Sequence, residues 1–477
     1  MRRSLSFGIL TLILAGSAMA MEPIPGEERF AGLLPPQSSA GAQLGVGQIQ
    51  EDYYLKLVLK SELNLGKVGV GFQIPLNLRA WDRDPQATND YYGLIRYEDW
   101  DQPADYIKVI RYVRLGHKRD DFYLRVGELA ADLGHGTIMG RYINNLDINK
   151  FRVGSQFDIN TKYGGIETVI GDFGTVYDRQ SPDSRLFGAR AYFKPYALID
   201  ADSLLNIFAI GASVVSDLNA PTVVTATIED DNLEVTDTTA ATIYGFDFEA
   251  EVLHSPILDI VPYTDLNFIQ QAGWGWHLGT LITAKMPIGF ALTIPLRLEY
   301  RRFAGNYLPM YFSTFYEIER YQYLQGTPDV VTGLLPTKAH EIRNRSTDAG
   351  LNGYYADLAF DFANIFQVGA FYEDYDSSSA AYNPAANRNL QVFVSVPALD
   401  IFQLKAFYAR TGITDLNDLF KKDSRSMAVA EGRYQLISYV YLVGRFTRRW
   451  VLDPEATPAA YVSTDSWDFG VESSFNF

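Results

Sequence analysis

Apolar residues occupy every second position along many segments, the pattern of a β-strand with one apolar face. In residues 68–79, one face is built only from Val68, Val70, Phe72, Ile74, Leu76 and Leu78. The other face of that segment combines glycine, proline and polar groups. Residues 290–301 repeat the pattern, and residues 53–60 show it over a shorter length. Each long apolar face suffices for a tilted strand to cross the hydrocarbon layer, so these segments indicate membrane-spanning strands around a wet interior.

The final segment, residues 467–477, has the same alternation and ends on an aromatic residue. Its apolar face consists of Trp467, Phe469, Val471, Phe475 and Phe477, interrupted by Ser473. This ending resembles the C-terminal strand of Gram-negative outer-membrane β-barrel proteins, including the porin-like ones. The resemblance implies a strand that closes the barrel and is read by the barrel-assembly machinery. Taken alone, the segment also fits a half-buried edge strand of a soluble β-protein.

Connections between the predicted strands alternate in length, which favours the barrel. Long ones fall near residues 82–103, 131–147, 174–184, 218–240, 304–350, 377–387 and 412–423. Short ones lie between them, as in barrels with periplasmic turns and extracellular loops. We therefore predict an all-β fold, a transmembrane antiparallel up-and-down β-barrel of about 20 strands, between about 18 and 22.

The N-terminal region predicts export. Residues 1–20 combine two arginines, an apolar stretch and a small-residue cleavage site, as in a secretory signal peptide. Residues 21–40 are rich in proline, glycine and serine and are expected to form a periplasmic lead-in. The barrel is then expected over residues 41–477. Its first strand is either 41–50 or 53–64, and this choice sets the strand count.

Composition narrows the class of protein further. The formal net charge of −16 argues against nucleic acid as a partner. The absence of cysteine excludes disulfides and thiolate metal sites. With 31 Tyr, 29 Phe and 6 Trp, the chain has ample material for aromatic girdles at both membrane interfaces. These features fit a protein of the cell outer membrane, in contact with lipid and lipopolysaccharide.

Charged residues on the polar faces are the candidate functional residues. The predicted pore-lining set is Lys56, Lys60, Arg79, Arg125, Arg190, Lys194, Arg297, Glu299, Arg301, Lys405 and Arg445. Such groups set the ion preference of a pore through their local field. Any one of them is equally explained as a solvated residue in a wet lumen. No cofactor or metal site is expected, and the acidic loops fit a surface beside lipopolysaccharide.

Two loops stand out. Residues 134–142 contain three glycines and fit either a loop folded into the lumen or a tight surface turn, of which we favour the turn. Residues 304–350 carry many aromatic side chains, which seldom stay in water: Tyr307, Tyr311, Phe312, Phe315, Tyr316, Tyr321 and Tyr323. That segment is the best candidate for a functional loop, lining a constriction, capping the pore or binding a partner.

The leading functional hypothesis is a porin-like channel for passive diffusion of small hydrophilic solutes. The alternative is a closed, surface-exposed structural or adhesive barrel whose binding face is loop 304–350. An enzyme is not expected, because the five histidines form no His-x-x-x-His pair and no Gly-x-Ser-x-Gly motif occurs. Association into a homo-oligomer is compatible with either hypothesis.

Overall fold

A computed structural model describes residues 38–82, 94–118, 120–177, 181–200, 203–229, 232–287, 291–326, 332–345, 350–363, 365–377, 388–396 and 401–476. The predicted signal peptide and most of the predicted lead-in lie outside these ranges. The main sheet contains 22 strands, two of which are only two residues long. The others form a closed 20-strand antiparallel barrel, which confirms the predicted fold and strand number.

The barrel strands follow one another around the wall in chain order. They are β1 Ser39–Ile49, β2 Asp52–Leu65, β3 Val68–Trp81, β4 Ile110–Leu115, β5 Phe122–Gly127, β6 Gly154–Thr161, β7 Gly164–Ile170, β8 Leu186–Phe193, β9 Phe208–Glu229, β10 Asn232–Ala250, β11 Leu258–Ile269, β12 Trp274–Pro287, β13 Ala291–Ala304, β14 Gly350–Phe362, β15 Phe366–Ser377, β16 Arg388–Val396, β17 Phe402–Ile413, β18 Ser426–Ile437, β19 Val440–Asp453 and β20 Ala460–Asn476. Each strand pairs antiparallel with the next.

The last strand closes the barrel on the first. β1 pairs with β20 from Ser39 opposite Asn476 to Gln48 opposite Trp467. The first strand is therefore the glycine-rich one, which begins two residues before the predicted boundary at residue 41. Closure leaves no free edge strand, so every barrel strand has a hydrogen-bonded neighbour on each side. Phe477 lies outside the described residues.

The two faces of the wall are those expected from the alternation. On the seam strands, Leu44, Val46, Phe469, Val471 and Phe475 are 44–56% exposed on the outer surface. Their neighbours on the inner face are polar, and they are buried. Because the inner face of a water-filled barrel of this size would be exposed, this burial means that other parts of the chain occupy the lumen.

Connection lengths alternate as expected, with exceptions. The end of the barrel holding the long connections is called the long-loop end, and the other the short-turn end. Residues 218–240 were predicted as a loop, and this is wrong: β9 and β10 continue through most of them as a hairpin. The connection between β8 and β9, residues 194–207, is long although it lies at the short-turn end.

In the described ranges, helices are few and short. The α-helices there are Pro103–Ile107, Gly174–Tyr177, Tyr316–Glu319 and Lys338–Asn344. No helix in the described part of the chain has both the length and the apolar character needed to cross a membrane.

Two connections fill the lumen. Residues 128–153, between β5 and β6, are named the inner loop. Residues 305–345, between β13 and β14, are named the aromatic loop. Most side chains of both are buried, and together with inward-facing wall residues they form two large apolar clusters.

Candidate functional site

The inner loop crosses the lumen and is held at its tip by His135. The Nδ1 of His135 lies 2.8 Å from Asp265 and its Nε2 lies 2.8 Å from Glu249, on two neighbouring wall strands. The imidazole also stacks on Tyr263 at 4.0 Å between ring centroids. Burial alone would lower the pKa of His135, but these carboxylates outweigh it and raise the pKa to about 10. The imidazole is therefore a cation at neutral pH and donates from both nitrogens.

The backbone around His135 requires glycine. Gly134 and Gly136 have φ values of +56° and +75°. A Cβ on Gly134 would also lie 2.7 Å from the side chain of Arg190 on the wall. The glycines seen in the sequence therefore let the loop turn tightly against the wall inside the lumen. The prediction of a surface turn for residues 134–142 is wrong.

A second cation of the inner loop binds another part of the wall. Arg141 donates to Asp357 at 2.6 Å and to Gln391 at 3.0 Å. Its guanidinium lies 4.8 Å from the ring centroid of Phe371. The loop then reaches β19, where the amide of Ile148 donates to the Trp450 carbonyl at 3.1 Å. These contacts fix the loop at several positions around the barrel.

The aromatic loop packs directly on the inner loop. The amide of Met310 donates to the Thr137 carbonyl at 2.8 Å, and that of Phe312 to Ile138 at 3.2 Å. All seven aromatic residues singled out in the sequence are buried. They therefore act as the packing core of a plug and are not exposed on the cell surface.

A buried carboxylate joins the two loops. Glu317 accepts hydrogen bonds from Tyr142 at 2.6 Å and from Ser184 at 2.9 Å, and its carboxylate lies 3.6 Å from Arg152. Burial raises the pKa of Glu317. Glu317 thus links the aromatic loop to the inner loop and to the connection between β7 and β8.

The aromatic loop is also anchored to the wall by Arg320. Its guanidinium donates to Asp217 at 3.1 Å and to the carbonyls of Pro182 and Asn219 at 2.8 and 2.7 Å. The hydroxyl of Tyr316 donates to the same oxygen of Asp217 at 2.7 Å. Both loops therefore rest on the wall from β6 to β17, and both also reach Trp450 at the long-loop end of β19. The aromatic loop further reaches β20, where the amide of Tyr461 donates to Gln322 at 3.1 Å.

The inner wall is divided by charge. On β6 to β15, inward carboxylates outnumber inward cations. The inward carboxylates are Asp158, Glu167, Asp217, Asp247, Glu249, Asp265, Glu299, Asp357, Asp361 and Glu373. Three of them, Glu249, Asp265 and Asp357, pair with His135 or Arg141 of the inner loop. On the remaining wall, from β17 through the seam to β5, cations outnumber carboxylates. This basic wall carries Lys405, Arg433, Arg445, Arg449, Lys56, Lys60, Arg79, Arg114 and Arg125, with Asp52, Glu62, Glu431, Asp468 and Glu472 among them.

A cavity of about 230 Å³ lies between the plug and the basic wall. Its wall side is formed by inward residues of β2, β19 and β20, including Lys56, Thr447 and Asp468. Its other side is formed by Glu128 and residues 145 and 147–151 of the inner loop, together with Asp105 and Lys108 of the connection between β3 and β4. The lining is mostly polar and holds charges of both signs, so the cavity suits water and hydrophilic solutes and does not suit hydrocarbon.

The predicted pore-lining residues lie on the lumen side of the wall, with Lys194 at the short-turn end of β8. Most are ion-paired there. Distances are 3.4 Å for Lys56–Asp468, 3.7 Å for Arg79–Asp52, 2.6 Å for Arg190–Asp247, 2.7 Å for Arg301–Glu373 and 2.8 Å for Arg445–Glu431, and Arg297 also pairs with Glu299. Arg125 donates to the Glu128 carbonyl at 2.8 Å. Lys56 and Arg445 line the cavity, whereas Arg190, Arg297, Glu299 and Arg301 lie on the wall beneath the plug. Lining of a pore remains a prediction for the whole set.

The outer surface settles the class of protein. A closed antiparallel barrel with an apolar exterior and a polar interior meets the requirement that every backbone group in lipid be satisfied internally. Tyr53 and Trp467 pack edge to face at 6.4 Å near the long-loop end, as expected of an interfacial aromatic pair. The protein is an outer-membrane β-barrel. The role of Trp467, Phe469, Val471 and Phe475 as an assembly signal stays a prediction.

No family model matches the sequence, and no curated protein matches it either. Solved structures of similar fold include OccK11 (OpdR) of Pseudomonas aeruginosa, with 9% identity, 92% of this chain and 96% of that chain covered, and a TM-score of 0.32. OccAB3 of Acinetobacter baumannii has 11% identity, coverage of 92% and 99%, and a TM-score of 0.30. OpdK of Pseudomonas aeruginosa, solved with vanillate, has 9% identity, coverage of 92% and 98%, and a TM-score of 0.33. Similarity at this level carries no argument about function.

Sequence reasoning missed the roles of His135, Arg141 and Glu317. The sequence of the wall strands does contain a pattern from which an infolded loop could have been predicted. Glu249 and Asp265 fall on inward positions of the neighbouring strands β10 and β11, and Asp357 falls on an inward position of β14, where a carboxylate requires a partner. An inward acidic cluster of this kind predicts that a loop carrying cations folds into the lumen.

The His135 clasp makes the docking of the inner loop dependent on pH. Its pKa is raised from 6.5 to about 10, so the stabilisation is complete below about 6.5 and is lost as pH rises through about 10. In planar bilayers, we expect steady single-channel currents at the lower pH and increasing current fluctuation as pH approaches 10.

The variant His135→Gln should fluctuate at both pH values, since it lacks the charge at either. The matched control is His254→Gln, because His254 is an exposed histidine at the short-turn end. The control should keep the wild-type pH dependence. Unchanged pH dependence in His135→Gln would show that the clasp does not hold the loop.

Proposed function

We propose that the protein is an outer-membrane channel through which small hydrophilic solutes diffuse passively, with a preference for anions. The observation that carries this proposal is the cavity between the plug and the basic wall. Solutes pass through the space that remains between the inner loop and the basic wall. The route then continues along the basic wall toward the short-turn end.

The arrangement of charge supports the anion preference. The plug places His135 and Arg141 on the acidic wall, where they neutralise carboxylates that would otherwise attract cations. The basic wall keeps its excess of positive charge. From Lys56, the wall continues toward the short-turn end through Lys60 on the same strand. In a narrow lumen with low-dielectric walls, such an excess raises the local concentration of anions.

The size of the cavity supports passage of small solutes. A volume of about 230 Å³ holds several water molecules, each with a share of roughly 30 Å³. Charges of both signs line it, as Lys150 and Asp147 of the inner loop show. A solute crossing this region can exchange hydrogen bonds with the lining as it loses water.

The alternative of an adhesive barrel has less support. It places the binding face on loop 304–350, but the aromatic side chains of that loop are buried inside the lumen. A surface partner would reach them only after the plug had left the barrel.

Reconstitution of the mature barrel in planar bilayers tests the proposal. We expect discrete conductance steps and, under a KCl gradient, a reversal potential of the sign that anion permeation produces. Absence of steps above the lipid background contradicts a channel. A reversal potential of the opposite sign contradicts the preference for anions while leaving the channel in place.

A further inference from the structure

The outer face of the wall carries an arginine where a lipid-facing residue is expected. Along β17, Phe407 and Ala409 point into the lumen, so Tyr408 and Arg410 point outward. Arg410 is nevertheless fully buried. Residues 414–425, which connect β17 to β18, cover it. This connection, named the outer flap, therefore folds over the outside of the barrel at the long-loop end.

The outer flap is fixed firmly to the wall. Tyr408 donates to the Leu419 carbonyl at 2.5 Å, and Arg410 donates to Asp423 at 2.8 Å and to the Lys421 carbonyl at 3.0 Å. Within the flap, Asp418 accepts from Arg425 at 3.1 Å. Asp418 also accepts from the Thr414 hydroxyl at 2.8 Å, and Asp415 caps the short 3₁₀ helix Leu416–Phe420. The position of the flap is therefore set by several polar contacts.

This fixed segment exposes two large apolar side chains. Leu416 is 80% exposed and Phe420 is 89% exposed, four residues apart on the same short helix. Lys421 and Lys422 follow directly, and both are more than half exposed. Exposed apolar side chains on a rigid segment mark a contact surface. The adjacent lysines place positive charge beside these apolar side chains, which suits a partner that combines apolar and negatively charged groups.

Both lysines can turn toward an external anion. Lys421 lies 2.8 Å from Asp418, and Lys422 lies 2.7 Å from Asp465. Asp418 keeps Arg425 and Thr414 without Lys421. Asp465 keeps its two hydrogen bonds from Arg448, at 2.6 and 3.0 Å, without Lys422. The other carboxylates of the flap are Asp423, held by Arg410, and Asp415, used as the helix cap.

The patch is continuous with the lipid-facing surface. Arg448 and Asp465 are paired residues on the outward face of β19 and β20. One step further toward the short-turn end on that face are Phe446 and Trp467, also paired with each other. The flap therefore meets the bilayer surface at the long-loop end, which faces the outer leaflet.

We propose that Leu416, Phe420, Lys421 and Lys422 bind a phosphorylated glycolipid of the outer leaflet, that is, lipopolysaccharide. Leu416 and Phe420 contact its acyl chains, and the lysines bind its phosphates by charge-assisted hydrogen bonds. Arg448 lies beside this site and adds positive charge to it. The site is on the outside of the wall and is separate from the proposed solute route.

Binding of purified lipopolysaccharide to the detergent-solubilised barrel tests this site. The test variants are Lys421→Ala with Lys422→Ala, and Leu416→Ser with Phe420→Ser. We expect each double variant to weaken binding about tenfold or more. The matched control is Leu204→Ser, because Leu204 is 90% exposed at the short-turn end. The control should bind as the wild type does.

Two further measurements separate binding of lipopolysaccharide from binding of other anionic lipids or phosphate, and a local effect of the variants from misfolding. Phosphatidylglycerol should bind the wild type much more weakly than lipopolysaccharide does, and inorganic phosphate should not compete at similar concentrations. Heat-modifiable gel mobility and single-channel conductance should stay unchanged in both double variants, since the altered side chains point away from the lumen. Wild-type lipopolysaccharide affinity in either double variant, or equal affinity for phosphatidylglycerol, would overturn the proposal without affecting the proposed channel.

Discussion

Replacing the aromatic loop, residues 305–345, with a short glycine-serine linker is expected to raise single-channel conductance about threefold or more. The loop fills the lumen with buried aromatic side chains and supports the inner loop through Glu317. A barrel of this strand number encloses a wide aqueous space when nothing occupies it. The wall should survive the change, because its hydrogen bonds run between neighbouring strands and do not depend on the loop.

Shortening the connection between β19 and β20, residues 454–459, is the matched control. It lies at the same end of the barrel, and most of its residues are exposed or half-buried. Conductance should not change in this control. An equally small conductance in both variants would mean that the aromatic loop does not restrict the channel.

Removing positive charge from β2 is expected to lower the anion preference. In the double variant Lys56→Met with Lys60→Met, the ratio of anion to cation permeability should fall about fivefold, since a unit charge about 4 Å away contributes about 1 kcal/mol in water. Asp468 still accepts from Gln43 at 2.9 Å after the loss of Lys56, so its carboxylate keeps a partner. Reversal potentials under a KCl gradient measure the ratio.

Two other variants test whether the sign and the position of the removed charge determine the shift in reversal potential. Asp468→Asn removes a negative charge from the same cavity and should shift the reversal potential in the opposite sense. Lys422→Met removes a lysine from the outside of the wall and should shift nothing. Equal shifts from Lys422→Met and from the β2 variant would indicate a general charge effect and contradict the assigned route.

The wall of the barrel was predictable because its physics is local. A strand facing lipid on one side and polar groups on the other repeats every two residues, and residues 68–79 show this without interruption. The same two-residue repeat places Arg297, Glu299 and Arg301 on the inner face of the wall and Trp467 and Phe469 on its outer face. One choice could not be made from the pattern, namely which segment begins the barrel. It is decided by the pairing of β1 with β20.

The plug was not predictable from periodicity, because its contacts join residues far apart in the chain. His135 pairs with Asp265, and Arg141 with Asp357. Glycines at 134 and 136 suit a tight turn on the surface as well as one in the lumen. Only the acidic positions on the wall distinguish the two. For the aromatic loop, the sequence left several positions open, and the structure places its aromatic side chains in the plug. Its functional role stays a prediction.

The hairpin formed by β9 and β10 was predicted wrongly for a different reason. The alternation of connection lengths predicts a loop over 218–240, although β-branched residues such as Val223, Val224 and Thr225 favour strands. Val224 is buried and pairs with Leu335 of the aromatic loop. The hairpin is therefore stabilised beyond the membrane by the same plug that fills the lumen.

The absence of native cysteine allows the most direct test of the solute route. Single cysteines are placed at Thr447, which lines the cavity, and at Ser213, on the wall beneath the plug. Each variant is then treated in the bilayer with a charged methanethiosulfonate reagent while current is recorded. The account predicts that modification reduces current through Thr447→Cys and leaves Ser213→Cys unaffected. Reduction through Ser213→Cys with no change in Thr447→Cys would contradict the placement of the route along the basic wall.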